Sequence, residues 1–256
     1  MPPPDPDATV VNLLFLGGDY RPHRAGTKYG NKTDVMLLVN IVMDDPARVT
    51  IVQFPRNFYT PVEQMDDQWL FAVWSREGYV GLHYYFQQVF DVDLTGIFYI
   101  DMDGFVSLID DIGGLKVSVP YSSYEPMNGT EVLAFLRDND NNWGCPEYDC
   151  GNRQVGVLLD LAETLKMQYK DKPLNTLVVA FQAYQRAIQT DLSNVEQIRY
   201  LMDLAKLLGH RDYFMNREKL TKSGTVIYGD TPLDVRGWTV PDPQALQDWF
   251  NLVLGG

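Results

Sequence analysis

The sequence predicts an α/β fold: a single αβα domain with a central mixed, largely antiparallel sheet and helices on both faces. Three observations carry that prediction. Three β-rich apolar runs open the chain, at 10–16, 34–43 and 48–54, the last two separated only by the turn-like Asp44-Asp45-Pro46-Ala47. A strand, a helix and a Gly-Gly stop then follow over 97–114. Helical patterning dominates from 129 to 208.

The elements are justified in order. Residues 10–16 (VVNLLFL) are almost continuously apolar and run into Gly17-Gly18, which reads as a buried strand followed by a turn. The runs DVMLLVNIVM and RVTIVQF form an antiparallel hairpin across the short polar loop. Residues 79–90 space Val80, Tyr84 and Val89 on neighbouring helical turns. A strand at 97–101 leads to a helix at 103–112, stopped by Gly113-Gly114, and a further strand is predicted at 115–119. Helices are predicted at 129–137, 153–169, 174–187 and 193–208. Asp191 or Ser193 would cap the last of these, with Glu196 three residues beyond Ser193. The tail reads as strands at 224–229 and 235–240, then a helix at 243–254 begun by Asp242-Pro243. No internal repeat is visible. The domain is taken as 10–256, and MPPPDPDAT at 1–9 as a Pro-rich linker of the kind that follows a removed membrane anchor.

Composition excludes several functions. The net charge of −13 is the wrong sign for a nucleic-acid binder, whose affinity comes from neutralising phosphates. It also repels an anionic membrane on average. A phosphorylated ligand would need cations gathered locally against that background. No run approaches the ~20 apolar residues of a membrane span, and no signal peptide is present.

Four segments at predicted element ends could gather such groups: GGDYRP at 17–22, NKTDVMLL at 31–38, FPRN at 54–57, and Arg137 with Arg153 and Gln154. Two aspartates and several arginines suit a phosphate or pyrophosphate. Carboxylate oxygens hold Mg²⁺, and guanidinium forks grip phosphate oxygens. Arg153 and Gln154, expected at a helix N-terminus, would add free backbone N–H donors. Other chemistries fit poorly. Two cysteines cannot close a structural zinc site, and His23, His83 and His210 are scattered. The loop Asp138-x-Asp140-x-Asn142 has calcium-loop spacing, but Trp143 stands where the sharp turn wants glycine.

Together these segments resemble the extracytoplasmic domain of the LytR-CpsA-Psr family of bacterial cell-wall proteins. That family carries G-S/T-D-x-R after its first strand, a T-D motif followed closely by Met on the second, and P-R-D after the third. A segment ending R-x-R closes one helix, and R-x-x-R-Q opens the next. Here they read Gly18-Asp19-Tyr20-Arg21, Lys32-Thr33-Asp34-Val35-Met36, Pro55-Arg56-Asn57, Ala134 to Arg137, and Arg153-Gln154. The stretch GIFYIDMDGFVSLIDDIGGLKVSVP and the end WTVPDPQALQDWF follow the family pattern as well, so the resemblance spans about residues 10–254.

The resemblance implies a transferase that moves an anionic glycopolymer from a polyprenyl pyrophosphate carrier to peptidoglycan or a similar acceptor, with possible pyrophosphatase activity. It implies Asp19 and Asp34 as Mg²⁺ ligands and Arg21, Lys32, Arg56, Arg137, Arg153 and Gln154 as phosphate-binding groups. Of these, Asp34, Arg56, Arg137 and Arg153 are the implied catalytic set. An apolar pocket between sheet and helices would take the lipid, and the native protein would sit in the cell envelope on an N-terminal anchor. In that compartment Cys145 and Cys150 are expected to form a local disulfide.

The chain also departs from the pattern. Lys32 replaces Arg, while Asn57, Asn139 and Cys150 replace charged residues, and WLFAVWSREG at 69–78 stands where the family has K-I-N-x-A. Arg21, Arg24, Lys28 and Arg76 are candidates to supply the missing charge. The alternative these losses suggest is a member that binds polyprenyl phosphate without turnover.

Overall fold

The computed structural model describes residues 9–20, 30–43, 48–54, 58, 62–65, 69–118, 125–137, 147–197, 199–200, 214–219 and 254. The chain forms two compact units, residues 1–98 with 212–256, and residues 99–211. One six-stranded sheet has the order β5-β4-β1-β2-β3-β6. Its strands are β1 (Thr9–Tyr20), β2 (Asn31–Met43), β3 (Arg48–Gln53), β4 (Gly96–Asp101), β5 (Ile188–Thr190) and β6 (Phe214–Lys219). β4 is the strand on which the chain passes from the first unit to the second. The helices are α1 (Leu70–Phe90), α2 (Met102–Asp111), α3 (Gly129–Arg137), α4 (Glu147–Asp171) and α5 (Pro173–Ala187). β1, β2 and β3 form an antiparallel meander, and β6 runs parallel to β3, so the sheet is mixed as expected.

The apolar runs of the first unit are unbroken because the central strands are buried on both faces. Leu14, Leu38 and Val52 lie side by side on three strands and are fully buried. Leu13, Val39 and Ile51 form the neighbouring row, also buried, on the opposite face. With hydrophobic side chains on both faces, alternation alone specifies register weakly, and a polar row supplies the rest. Asn12, Asn40 and Thr50 are cross-strand neighbours, and Asn40 Nδ2 donates to Asn12 Oδ1 at 2.8 Å. Asn12 in turn donates from its side chain to the Asp93 carbonyl, donates its backbone N–H to Thr95 Oγ1 and accepts from the Thr95 N–H at its carbonyl. A one-residue slip would leave these groups without partners.

Helix α1 is longer than the predicted 79–90 and bends at Gly78, whose φ of 60° and ψ of −148° are open to glycine and strained for other residues. Its first part hid from the sequence because Leu70, Phe71, Ala72 and Val73 are all buried, which erases helical periodicity. An aromatic cluster ties α1 to the end of β3. Phe54 lies 5.3 Å from Phe86 and 5.1 Å from Phe90 between ring centroids, and Phe58 lies 5.5 Å from Phe90.

In the second unit, Asp101 ends β4 and caps α2, its carboxylate accepting from Gly104 N–H at 2.8 Å. Asn128 and Glu131 form a reciprocal capping box at the start of α3. Ile109, Ile112, Leu115, Val117, Val132 and Val157 make the core between these helices and α4. The strand predicted at 115–119 does not form over its described residues. Leu115 makes a single bridge to Met127, and Ser118 spends its backbone N–H and its hydroxyl on Asp160 of α4. β5 and β6 were not foreseen, since a three-residue strand and the polar FMNREK carry little β patterning. Ser193, not Asp191, caps the last described helical turns. Its hydroxyl, and after it its backbone N–H, hold the Glu196 carboxyl below the usual glutamate range. That contribution to stability is present above this range and is lost as pH falls through the lowered pKa. The predicted tail strands at 224–229 and 235–240 and the helix at 243–254 lie outside the described residues except for helical Leu254. Among the described residues no helix is long and apolar enough to cross a membrane.

The Asn12–Asn40 pair generates a direct expectation. Asn40→Ala leaves the half-buried Asn12 Oδ1 without its donor and should cost about 1–3 kcal/mol in urea unfolding. An unchanged midpoint would remove the pair from the account of register.

Candidate functional site

In the first unit the predicted groups gather where β1 and β2 change register. Gly17 pairs with Val35 but Gly18 pairs with Thr33, so the register of the ladder steps over Asp34. This is a β-bulge, a device that twists a strand and redirects a side chain. The strand does not end at Gly17-Gly18, as the sequence suggested, but continues to Tyr20. Glycine is required at position 17 because a Cβ there would come within 2.9 Å of the Val35 Cβ. What looked like a turn signal is a close approach of two strands.

Beyond the bulge, Asp19 faces Lys32 across the ladder. Directly opposed side chains of this kind have Cβ atoms about 5 Å apart. Asp19 is buried, only 6% exposed, and Lys32 and Asp34 are half-buried. Three of the predicted groups, Asp19, Lys32 and Asp34, are therefore brought together around one bulge. Phe71 of α1 supports them, a contribution the sequence did not disclose. Its carbonyl accepts from Thr33 Oγ1 at 3.4 Å, and the Lys32 ammonium lies 5.0 Å from its ring centroid. Phe71 is buried, and it also braces the segment that carries Asp34.

Arg21 and Arg56 lie outside the described residues. Phe54 and Phe58, which flank the Pro55-Arg56-Asn57 segment, are both anchored in the aromatic cluster and 1% exposed. Phe54 N–H donates to the Met36 carbonyl and Leu70 N–H to the Phe58 carbonyl.

Arg137, Arg153 and Gln154 belong to the second unit. Arg137 is the last residue of α3 and exposed, with Nη1 2.9 Å from Met102 Sδ. Arg153 is half-buried and donates from Nη1 to the Phe135 carbonyl at 2.9 Å, its guanidinium 5.1 Å from the Phe135 ring centroid. Phe135 lies in the last turn of α3, where carbonyls lack helical partners and a cation complements the helix dipole. Arg153 thus fastens the turn that carries Arg137. Gln154 Oε1 is buried and makes no hydrogen bond among the described residues.

One expectation is overturned. α4 begins at Glu147, not near 153, so Arg153 and Gln154 lie in its second and third turns. Their backbone N–H groups are inside the helix, and any grip on an anion must come from the side chains. Cys145 and the side chain of Cys150 lie outside the described residues, as do Asn139 and most of the proposed calcium-like loop.

A concavity of about 480 Å³ in the second unit is lined by Asp101, Asp103, Asp110 and Asp111 with Arg186. Its acidic wall suits neither phosphate nor hydrocarbon, so it is not the apolar pocket expected for a lipid. Asp101 caps α2, Asp110 accepts from Gly129 N–H, and Asp111 pairs with Arg186 at 2.9 Å. Their roles are structural.

Among the described residues no group of three or more His, Cys, Asp or Glu is placed to hold a metal. Two carboxylates, Asp19 and Asp34, stand on the paired strands at the bulge, and Mg²⁺ is the ion whose needs such a pair could meet. This ion commonly takes one or two carboxylates and completes its shell with phosphate oxygens and water.

Residues 5–234 match the LytR_cpsA_psr family. Protein gbs0355 from Streptococcus agalactiae is similar in structure, with a TM-score of 0.70 at 17% identity, covering 96% of this chain and 88% of that one. TagT bound to LI-WTA gives a TM-score of 0.67 at 15% identity, covering 98% and 93%. TagV from B. subtilis gives 0.67 at 17% identity, covering 96% and 97%. No curated protein matches the chain in sequence.

The two arginines should separate in a stability measurement. Arg153→Ala removes a charged hydrogen bond to a helix end and should cost about 1.5–3 kcal/mol in denaturant unfolding. Arg137→Ala, on the exposed end of α3, should stay within about 0.5 kcal/mol of the parent. Equal losses would contradict the fastening role of Arg153.

Proposed function

The chain belongs to the LytR-CpsA-Psr family, and from that premise we propose that it is a cell-wall glycopolymer transferase. The substrate is an anionic glycopolymer carried on polyprenyl pyrophosphate, and the acceptor is a hydroxyl of peptidoglycan or a related wall polymer. The reading is supported by the family match over residues 5–234 and by a structural relative, TagT, bound to LI-WTA. The observation that carries it at the level of residues is the β1–β2 bulge, which sets Asp34 beside the opposed Asp19 and Lys32.

In the proposed reaction the acceptor hydroxyl attacks the phosphorus joined to the glycopolymer. A new P–O bond forms, the bond to the bridging oxygen breaks, and polyprenyl phosphate leaves with its electron pair. The hydroxyl proton passes to a carboxylate or to solvent. Such a transfer needs positioning and charge neutralisation more than covalent participation by the protein. Asp19 and Asp34 would hold Mg²⁺, which when bound supplies neutralisation of the pyrophosphate. Arg21, Lys32, Arg56, Arg137, Arg153 and Gln154 would be the groups that hold phosphate oxygens. Asp34 is the group we assign closest to the reacting phosphate. An apolar pocket for the polyprenyl chain, a site in the cell envelope and an N-terminal anchor belong to the same reading, as does possible hydrolysis when water replaces the acceptor.

A second reading is favoured by a specific set of substitutions: Asn57, Asn139 and Cys150 stand where relatives carry charge, and Phe71 lies within the stretch that replaces K-I-N-x-A. In that reading the chain holds polyprenyl phosphate without turnover, as a carrier or scaffold.

The test is phosphate release from a polyprenyl pyrophosphate in detergent with Mg²⁺. Asp34→Asn should lower the rate at least 100-fold with an unchanged circular dichroism spectrum, and EDTA should abolish release. Equal release by parent and variant would remove Asp34 from the mechanism. Binding of the lipid with no release from either protein would select the second reading.

A further inference from the structure

Helix α5 carries an apolar stripe on its outer side. Leu174, Leu177, Val178 and Phe181 are 80%, 50%, 54% and 40% exposed. Their spacing, i, i+3, i+4 and i+7, places them on one face. Thr176 and Ala183, on the opposite side of the helix, are buried, as is Tyr184 at the border of the stripe. Met167 and Tyr169, in the last turns of α4, add exposures of 57% and 50% just before α5 begins. Other exposed large hydrophobics, such as Val80 and Val195, stand singly.

The charge around this stripe runs against the rest of the molecule. The chain carries 34 acidic residues in 256, yet none falls between Lys172 and Thr190. The ionisable cations of that segment are Lys172 and Arg186, the latter paired with Asp111, and Lys170 lies two residues before Lys172. Asp171 is the single acid between the two lysines. A helix with an uncharged apolar face, bordered by lysines and a tyrosine, inside a protein of net charge −13 is a local inversion of the surface.

We propose that this stripe rests on an anionic lipid surface. Three physical points select that occupant. A second copy or a protein partner would need about 800 Å² from each side, whereas the four α5 side chains expose on the order of 400 Å² on a single convex helix. A shallow helix face of this size is what inserts among lipid headgroups and the upper acyl chain, where no complementary protein shape is needed. Lys170 and Lys172 at the stripe's end meet anionic headgroups, and Tyr169 suits the headgroup level. Docking by α5 orients the second unit on a membrane whether or not the chain turns over a lipid-linked substrate.

The test is co-sedimentation with vesicles of phosphatidylglycerol and phosphatidylcholine in equal parts, beside vesicles of phosphatidylcholine alone. The parent should sediment with the anionic vesicles. The double variant Leu177→Ser with Phe181→Ser should bind them at least tenfold more weakly. Lys170→Glu with Lys172→Glu should lose the preference for the anionic vesicles. All four positions are exposed, half of them charged, and each variant is checked for its helical spectrum. Failure of the parent to sediment, or equal sedimentation of the parent and the serine variant, would overturn the proposal. A concentration-dependent dimer that disappears in the serine variant would also overturn it, by assigning the stripe to a second copy. The assay contains no pyrophosphate, so its outcome is independent of the transferase reading.

Discussion

The β1–β2 ladder loses one residue of register between Gly17 and Gly18, and the proposed chemistry depends on that single irregularity. Without it, Asp34 would be an ordinary ladder residue, and Asp19 would face Thr33 in place of Lys32. The bulge holds only because the rest of the ladder cannot slip. Leu14, Leu38 and Val52 fill one face, Leu13, Val39 and Ile51 fill the other, and the Asn12–Asn40 bond fixes which residues oppose each other. A part-buried amide pair in a hydrophobic sheet thus determines, some five ladder steps away, where two carboxylates and a lysine stand. Phe71 completes the arrangement from α1 through Thr33 and Lys32.

The second unit uses a different means to the same kind of end. Arg153 reaches from α4 to a carbonyl in the last turn of α3, so one cation both stabilises a helix end and sets the base on which Arg137 is carried. Because α4 starts at Glu147, the free N–H donors of its N-terminus lie at 147–150 and not at Arg153 and Gln154. Anion binding there falls to side chains. This puts more weight on the two arginines, in a family whose pattern includes two further arginines that this chain has exchanged for Asn139 and Cys150.

What could be read from sequence follows from how each element is buried. The three central strands were legible because burial on both faces leaves unbroken apolar runs. α2, α3 and α5 were legible to within a residue or so, α2 because Gly113-Gly114 marks its end and the other two from their helical patterning. The first turns of α1 were not, since near-complete burial removes the 3.6-residue signal. β6 was missed because FMNREK has no hydrophobic alternation. The kinds of residue at the site were legible, but their arrangement was not. A bulge is a property of two strands together, and the partner of Arg153 is a backbone carbonyl that any residue could supply. Gly17-Gly18 misled for a related reason: glycine marks turns and close strand approach alike, and only the position of Val35 distinguishes them.

The central claim is that metal and pyrophosphate meet at the β1–β2 bulge. It can be tested by paramagnetic broadening of backbone amide signals, with Mn²⁺ in place of Mg²⁺ and a short-chain polyprenyl pyrophosphate present. The account predicts selective loss of the signals of Gly17–Tyr20 and Asn31–Met36, reversed by excess Mg²⁺. Broadening centred on the acidic concavity of α2, around Asp101–Asp111, with the bulge unaffected, would contradict it.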